Sequence, residues 1–311
     1  MASASLTNGF RALQCCKLDL MSAFRVVGVI PARLNSTRLS RKVLRPIAGR
    51  PMVEWVWRAV TASGLISPVV VATDSKEVAE VCRARDIPVA MTSPDCPSGS
   101  DRVREVASQI YADIYVNIQG DEPTLTPAFF APLIALFARP DVEVGTLAVR
   151  CSPEDLADPN TVKVVTDLDN RALYFSRASI PYNRDGVADP NSTATGSYRK
   201  HLGIYAYRKA TLERFGALPP SPLEQIERLE QLRLLENGIG IYVAEAPGDT
   251  IGVDTEADLL RAEAVLLARH ERSPELQPVV GFADRDPLAR SDREPITLDR
   301  PRKYGFRARN R

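Results

Sequence analysis

The chain has 311 residues, 44% hydrophobic and 25% charged, the proportions of an ordinary water-soluble globular protein with room for one sizeable core or two modest ones. Forty Lys and Arg against 39 Asp and Glu leave a formal charge of +1, so no overall field draws in nucleic acid or an anionic membrane, and no apolar run approaches the roughly 18–20 residues that span a bilayer. Cys15, Cys16, Cys82, Cys96 and Cys151 are scattered, with no CxxC pair and only two histidines in the chain, which argues against a disulfide scaffold or structural zinc and fits a reducing, cytoplasmic setting.

Residues 1–23 carry Arg11 and Lys17 against the single acid Asp19 and contain no long apolar stretch. They are expected to be a disordered N-terminal extension, either a transit segment or the product of a start upstream of Met21. Phe24 to Ile30 is a short apolar run closed by Pro31, which predicts a buried strand. Pro51 suits the first position of a helix through Trp55 and Ala59. Val69 to Ala72 predicts a second buried strand, and Asp74-Ser75-Lys76-Glu77 predicts a capping box, with Asp74 as the cap, opening a helix to about Arg85.

Ile114 to Ile118 predicts another strand, followed by a turn and a helix from about Pro127. Repeated strand–helix units imply an α/β fold with a mostly parallel sheet flanked by helices, and place ligands at the carboxyl ends of strands. Extended stretches follow at Val162–Thr166, Ala172–Phe175 and Leu202–Tyr207, around a Gly/Asn/Ser/Pro-rich loop at 185–197. Ser221 as N-cap, Pro222 and Glu224 then open one continuous helix with Ile226, Leu229, Leu232 and Leu235 as its buried stripe, ended by Asn237-Gly238. Four-residue spacing puts Glu227 and Gln231 on one face of it. A last helix is expected from near Asp254 to about Arg269. From residue 271 the sequence is rich in proline and alternating charge and ends basic, which predicts a disordered tail over 271–311 and leaves 24–270 as the folded domain.

Pro31 to Lys42 places Arg33, Arg38, Arg41 and Lys42 with the small polar side chains of Asn35, Ser36, Thr37 and Ser40 in one loop at a strand's carboxyl end. It is neither a Walker A loop nor a dinucleotide turn, and composition leaves an anion site and a solvated basic loop both open. Gln119-Gly120-Asp121-Glu122-Pro123 follows another strand, where a carboxylate is placed to hold Mg²⁺, although Asp beside Gly also makes an ordinary turn. Asp254, at a strand–helix junction, reads by itself as a helix N-cap. His201 beside a strand and Arg177 in a Tyr-Phe-Ser-Arg run read by themselves as structural and surface-paired, and Glu230 and Gln231 as polar residues on an exposed helix face.

The stretches VIPARLNSTRL, GRPMVEWVW, VVVATD, MTSPDCPSGSDR, VNIQGDEP, YFSRASIPY, HLGIYAYR, SPLEQIERLEQLRLLENG and GVDT occur in one order from about Phe24 to Leu267. In that order they closely resemble the 3-deoxy-manno-octulosonate (Kdo) cytidylyltransferases. The resemblance implies a nucleotide-diphospho-sugar transferase-like fold with a smaller β-containing dimerisation part, usually a homodimer. It implies transfer of CMP from CTP to the anomeric hydroxyl of Kdo, for lipopolysaccharide synthesis.

The resemblance further implies that Arg33, Arg38 and Lys42 hold the triphosphate, with Ser98 and Gly99 beside the nucleotide. It gives Mg²⁺ to Asp121 and Asp254, and the sugar acid to Arg102, Gln119, Arg177, His201, Tyr205, Glu230 and Gln231. Arg33, Lys42, Asp121 and Asp254 are thereby the expected catalytic set. Where the family has Pro-Gly before the loop lysine, this chain has Ser40-Arg41, which removes easy access to positive φ and leaves the loop's path open. The near alternative is a sister enzyme charging 8-amino-8-deoxy-Kdo or a sialic acid. The distant one is a non-catalytic nucleotide- or RNA-binding protein that uses its basic tail.

Overall fold

The structure, a computed structural model, describes residues 24–34, 39–184 and 198–272, so the expectations for 1–23, Arg38, the loop at 185–197 and the stretch 273–311 fall outside the described residues. The chain divides into two units, Met1–Ala268 and Arg269–Arg311, and the site lies in the first.

Strand β1 (Val26–Pro31) is followed by a short hairpin of β2 (Pro46–Ile47) and β3 (Arg50–Pro51) and by helix α1 (Met52–Ala62). Pro51 is the N-cap of α1 rather than its first residue, because it still belongs to the β3 ladder. Next come β4 (Val69–Thr73), α2 (Lys76–Arg83), β5 (Val89–Met91), α3 (Gly99–Gln109) and β6 (Ile114–Asn117). Ser75, not Asp74, caps α2, its side chain accepting from Val78 N–H. Asp74 is instead drawn to the buried Arg102 guanidinium at 3.2 Å.

The second half contains α4 (Phe130–Ala135), β7 (Val144–Arg150), α5 (Pro153–Ala157), β8 (Lys163–Thr166), β9 (Ala172–Ser176) and β10 (Arg199–Arg208). It closes with α6 (Lys209–Ala217), α7 (Pro222–Glu227), α8 (Gln231–Glu236), β11 (Ile241–Glu245) and α9 (Glu256–Arg272).

The sheet order is β11-β7-β10-β6-β1-β4-β5, with the β8–β9 hairpin joined to the first half of β10. β1 runs parallel to β4 and β6, and β11 parallel to β7, while β10 enters antiparallel between β6 and β7. β1 alternates its apolar residues between two cores. Val26 and Ile30 join Val56, Phe130 and Phe137 on one face; Val27 and Val29 join Val103, Val106 and Tyr115 on the other. Burial on both faces explains why β1 carries Val and Ile on both sides of Gly28 rather than alternating apolar with polar residues. At Gly28 a Cβ would come within 2.9 Å of Ile66 Cγ2, so this position in the strand has room only for glycine.

The single helix expected from Ser221 to Asn237 is two helices. Glu224 completes its half of the capping box, accepting from Ser221 N–H at 3.0 Å, but Arg228 turns left-handed at φ 54° and ends α7. Ile226 is consequently 78% exposed, and Leu229, Leu232 and Leu234 carry the buried face instead. Glu227 and Gln231 therefore do not share a helix face. Glu227 accepts from Ser176 Oγ at 2.6 Å and from Arg177 N–H at 3.0 Å, contacts that a continuous helix would not satisfy.

Candidate active site

Two loops at the carboxyl ends of the central strands and one from the far end of the chain meet at one place. After β1 the chain reaches a single turn at Lys42–Leu44; after β6 it reaches Asp121; after β11 it reaches Asp254. A third apolar cluster explains the meeting: Leu39, Ile47 and Met52 pack with Val253, Leu259, Ala262 and Leu266, which seats the start of α9 on the basic loop. Arg45 pairs with Glu256 at 2.7 Å, and Ala48 N–H donates to Glu263 at 2.8 Å along the same seam.

Lys42 Nζ donates to Asp121 Oδ2 at 2.6 Å and to Asp254 Oδ1 at 2.9 Å. Burial opposes the charge on Lys42, but the two carboxylates outweigh it and raise its pKa. Asp254 does not cap α9. Thr255 does, its hydroxyl accepting from Asp258 N–H at 3.2 Å while Asp258 accepts from the Thr255 amide at 2.8 Å, and the Asp254 carboxylate is turned to Lys42. The lysine reaches the pair through Arg41, which holds φ 55°. The chain thus keeps the left-handed turn at a residue with a Cβ, where strain of about 1–2 kcal/mol is usual.

Asp121 and Asp254 offer oxygen donors and are both within reach of one cationic centre. That donor set fits a hard divalent ion such as Mg²⁺, which takes one or two carboxylates and leaves its other positions to water and phosphate. Among the described residues no group of three or more His, Cys, Asp or Glu forms a self-sufficient metal site, so this pair would depend on other ligands to complete a coordination shell.

Beside the pair lies a cavity of about 1110 Å³. Of the expected residues, Gly99, Gln119, Arg177 and Asp254 line it, as do His201, Tyr205, Glu230 and Gln231. β10 is antiparallel to β6, with Tyr205 opposite Asn117, so it delivers His201 and Tyr205 next to the loop after β6. Phe175, His201, Tyr205, Tyr207 and Phe215 form a continuous run of ring contacts that fixes their orientation. Thr146 Oγ1 donates to Ile204 O at 2.8 Å, so its oxygen accepts from His201 Nε2 at 3.0 Å. That assigns the proton of His201 to Nε2 and leaves Nδ1 an acceptor. Burial holds this imidazole neutral, with its pKa pushed down to about 3. Burial raises the pKa of Glu230, opposed by hydroxyl donors that include Ser100 at 3.0 Å.

Three further expected residues do not line this cavity. Arg102 is only 1% exposed; it pairs with Asp74 and donates to Thr92 Oγ1 at 2.5 Å and Ser93 O at 3.3 Å, so it braces the end of β4 rather than lining the cavity. Arg33 spans from β1 to Cys96 O at 2.7 Å, and Ser98 is engaged in the capping box of α3 with Asp101. Among the described residues Arg177 makes no surface ion pair. Its Nε donates to Glu227 O at 2.9 Å and its Nη1 to Pro159 O at 3.2 Å, backbone contacts that position the guanidinium at the cavity wall. Arg38 lies outside the described residues.

Asn117, Ser100, Lys200 and Arg228 also line the cavity, and none of them is among the residues the sequence singles out. Asn117 sits inside the VNIQGDEP stretch, and among the described residues its buried Oδ1 has no hydrogen-bond partner, which marks it as an acceptor for a ligand donor. Lys200 precedes His201 on β10, where alternation sends neighbouring side chains to opposite faces and hides its relation to the site.

The cytidylyltransferase family model matches residues 27–242. A 3-deoxy-manno-octulosonate cytidylyltransferase of Acidobacterium capsulatum is 62% identical over 249 residues, covering 80% of this chain and 99% of the relative. One of Geobacter sulfurreducens is 47% identical over 240 residues, covering 75% and 96%. The solved structure of a CMP:2-keto-3-deoxy-manno-octonic acid synthetase complexed with CTP superposes with a TM-score of 0.73 at 40% identity, covering 79% of this chain and 99% of that one. A glucose-1-phosphate thymidylyltransferase from Bacillus anthracis, at 17% identity and a TM-score of 0.57, shares the fold.

Proposed function

The chain belongs to the cytidylyltransferase family, within its 3-deoxy-manno-octulosonate branch, and from that premise we propose how its site carries out the reaction. It transfers CMP from CTP to the anomeric hydroxyl of Kdo, giving CMP-Kdo and pyrophosphate, the activated sugar of lipopolysaccharide synthesis. The observation that carries this reading is the meeting of Asp121 and Asp254 on Lys42 beside a cavity walled by Gln119, His201, Tyr205 and Glu230.

In this reading the hydroxyl attacks the α-phosphorus in line, and the protein contributes alignment and charge neutralisation more than covalent chemistry. Asp121 and Asp254 would hold Mg²⁺, which when bound neutralises phosphate oxygens and lowers the pKa of the attacking hydroxyl. Arg33, Arg38 and Lys42 take the triphosphate and the charge that collects on departing pyrophosphate, with Ser98 and Gly99 beside the nucleotide. Arg177 meets the sugar carboxylate. His201 Nδ1, Glu230 and Asn117 Oδ1 accept from sugar hydroxyls, and Tyr205 and Gln231 complete that wall. A neutral His201 serves as a fixed hydrogen-bonding group and not as a general acid.

The partner is a second copy of this chain. Leu173 on the edge strand β9, Leu168 in the turn before it and Ile226 on α7 are exposed apolar side chains, and the Glu227–Ser176 hydrogen bond ties α7 to β9. An edge strand flanked by exposed apolar groups is suited to burial between subunits. Sedimentation of the full chain as a monomer at micromolar concentration would exclude that arrangement. Cys82, Cys96 and Cys151 are free thiols and suit the reducing cytoplasm; no helix among the described residues is long and apolar enough to cross a membrane.

Pyrophosphate release measured over CTP, UTP and ATP, crossed with Kdo, 8-amino-8-deoxy-Kdo and a sialic acid, tests the function. CTP with Kdo is expected to dominate. A wide preference for another sugar acid, or no release with any pair, overturns the reading.

A further inference from the structure

A second charged cluster lines the cavity beyond the residues already assigned. Lys200, on β10, reaches Asp155 Oδ1 of α5 at 3.0 Å and Asp249 Oδ2 at 2.9 Å. Its side chain is 19% exposed, so its charge depends on those two acids. Asp249 begins the segment that ends at Asp254. Within that segment Ile251 N–H donates to Thr124 Oγ1 at 2.8 Å and Val253 N–H to Asp121 O at 2.9 Å, so its far end is fastened to the loop after β6. Its near end is fastened to β10 by the ion pair from Lys200 to Asp249.

We propose that Lys200 is a positioning residue: by holding Asp249 to β10 it sets the path of residues 249–254, and so keeps the Asp254 carboxylate on the cation position it shares with Asp121. The inference rests on the metal reading above. Lys200 touches neither carboxylate of the pair and acts through the backbone between Asp249 and Asp254. The strand that carries His201 into the sugar wall is thereby the same strand that fixes the metal loop.

Position and charge make opposite demands, which gives the test its sign. If Lys200 acted only as a nearby positive charge, Lys200→Met would tighten divalent-cation binding and Asp249→Asn would weaken it. If the two act as a tether, both substitutions weaken binding.

Mn²⁺ titrated into the full chain, with the free ion read by electron paramagnetic resonance, should show about tenfold weaker uptake for both variants, the low end of what outer-sphere partners contribute. Lys200→Arg should recover most of the loss, and Asp155→Asn should leave uptake within about twofold. Half-saturating Mg²⁺ for pyrophosphate release should rise in parallel while KM for CTP at saturating Mg²⁺ stays put. Opposite signs for the two variants, unchanged uptake in either, or a fall in Tm without a change in metal dependence overturns the tether. A wild-type chain that takes up no Mn²⁺ and releases pyrophosphate without Mg²⁺ overturns the metal reading itself, and this inference with it.

Discussion

Lys42 and Asp254, 212 residues apart in the chain, are joined by a 2.9 Å hydrogen bond, and Asp121 reaches the same ammonium at 2.6 Å. One lysine therefore balances two acids that would otherwise repel each other at the edge of the cavity. Asp121→Asn and Asp254→Asn each retain an oxygen that can accept from Lys42 but remove the charge a divalent ion needs. Each is expected to lower kcat for pyrophosphate release by two orders of magnitude or more, with Tm within a few degrees of the parent. Either variant, properly folded and turning over normally, would remove its aspartate from the proposed metal site.

Arg41 makes a second expectation. It holds φ 55° and pairs with Glu77, an ion pair between two well-exposed side chains. Glycine at this position relieves left-handed strain of about 1–2 kcal/mol, offset by about 0.5–1 kcal/mol of extra backbone entropy in the unfolded chain. Exposed pairs contribute little. Arg41→Gly should therefore stabilise the protein by up to about 1 kcal/mol in urea denaturation. Arg41→Ala keeps the strain and loses the pair, and should fall at or below the parent. An order with alanine above glycine would mean that the turn is not strained.

Much of this fold is legible from local chemistry. The Val/Ile runs of β1 and β4, the Ser221–Glu224 cap and the turn at Gly238 are short-range signals, and the strands and caps form there. What periodicity could not reveal is where tertiary contacts override it. The stripe from Ile226 to Leu235 predicts one helix, but Glu227 gains two hydrogen bonds from Ser176 and Arg177 when the chain turns at Arg228. Asp74 looked like a cap because nothing local reveals that a buried arginine 28 residues on requires its carboxylate. Arg102 matched a motif, yet burial against Thr92 and Asp74 takes it out of the cavity wall. The pairing of Asp121 with Asp254 depends on the Leu39–Val253–Leu259 contact, a long-range event with no signature in spacing.

Glu230 carries a specificity expectation. It lines the cavity, accepts from Ser100 at 3.0 Å, and stands at the break between α7 and α8. Glu230→Gln keeps an acceptor for Ser100 but weakens any hydrogen bond from a sugar hydroxyl, a loss of about 1.5–3 kcal/mol when one partner is charged. KM for Kdo should rise roughly tenfold to a hundredfold while KM for CTP is unchanged. Parallel rises in both constants would place Glu230 outside the sugar half of the site.

His201 ties the proposed sugar wall to the pH dependence of the fold. Burial pushes its pKa down to about 3, whereas in the unfolded chain it titrates near 6.5. Above pH 6.5 both states are neutral and its contribution to stability is complete. Below that the unfolded chain takes up a proton that the folded chain refuses, and stability falls by about 1.4 kcal/mol per pH unit until the folded group titrates near 3. Between pH 7 and pH 5 this single residue should remove about 2 kcal/mol. His201→Gln keeps a donor for Thr146 and cannot titrate, so its urea-denaturation stability should lose about 2 kcal/mol less than the parent over the same interval. The two proteins should then show the same shape of Kdo dependence from pH 6 to 8, because a neutral imidazole gives up no proton there. Equal pH slopes for parent and variant would mean that His201 protonates in the fold, and would return it to consideration as an acid in the reaction.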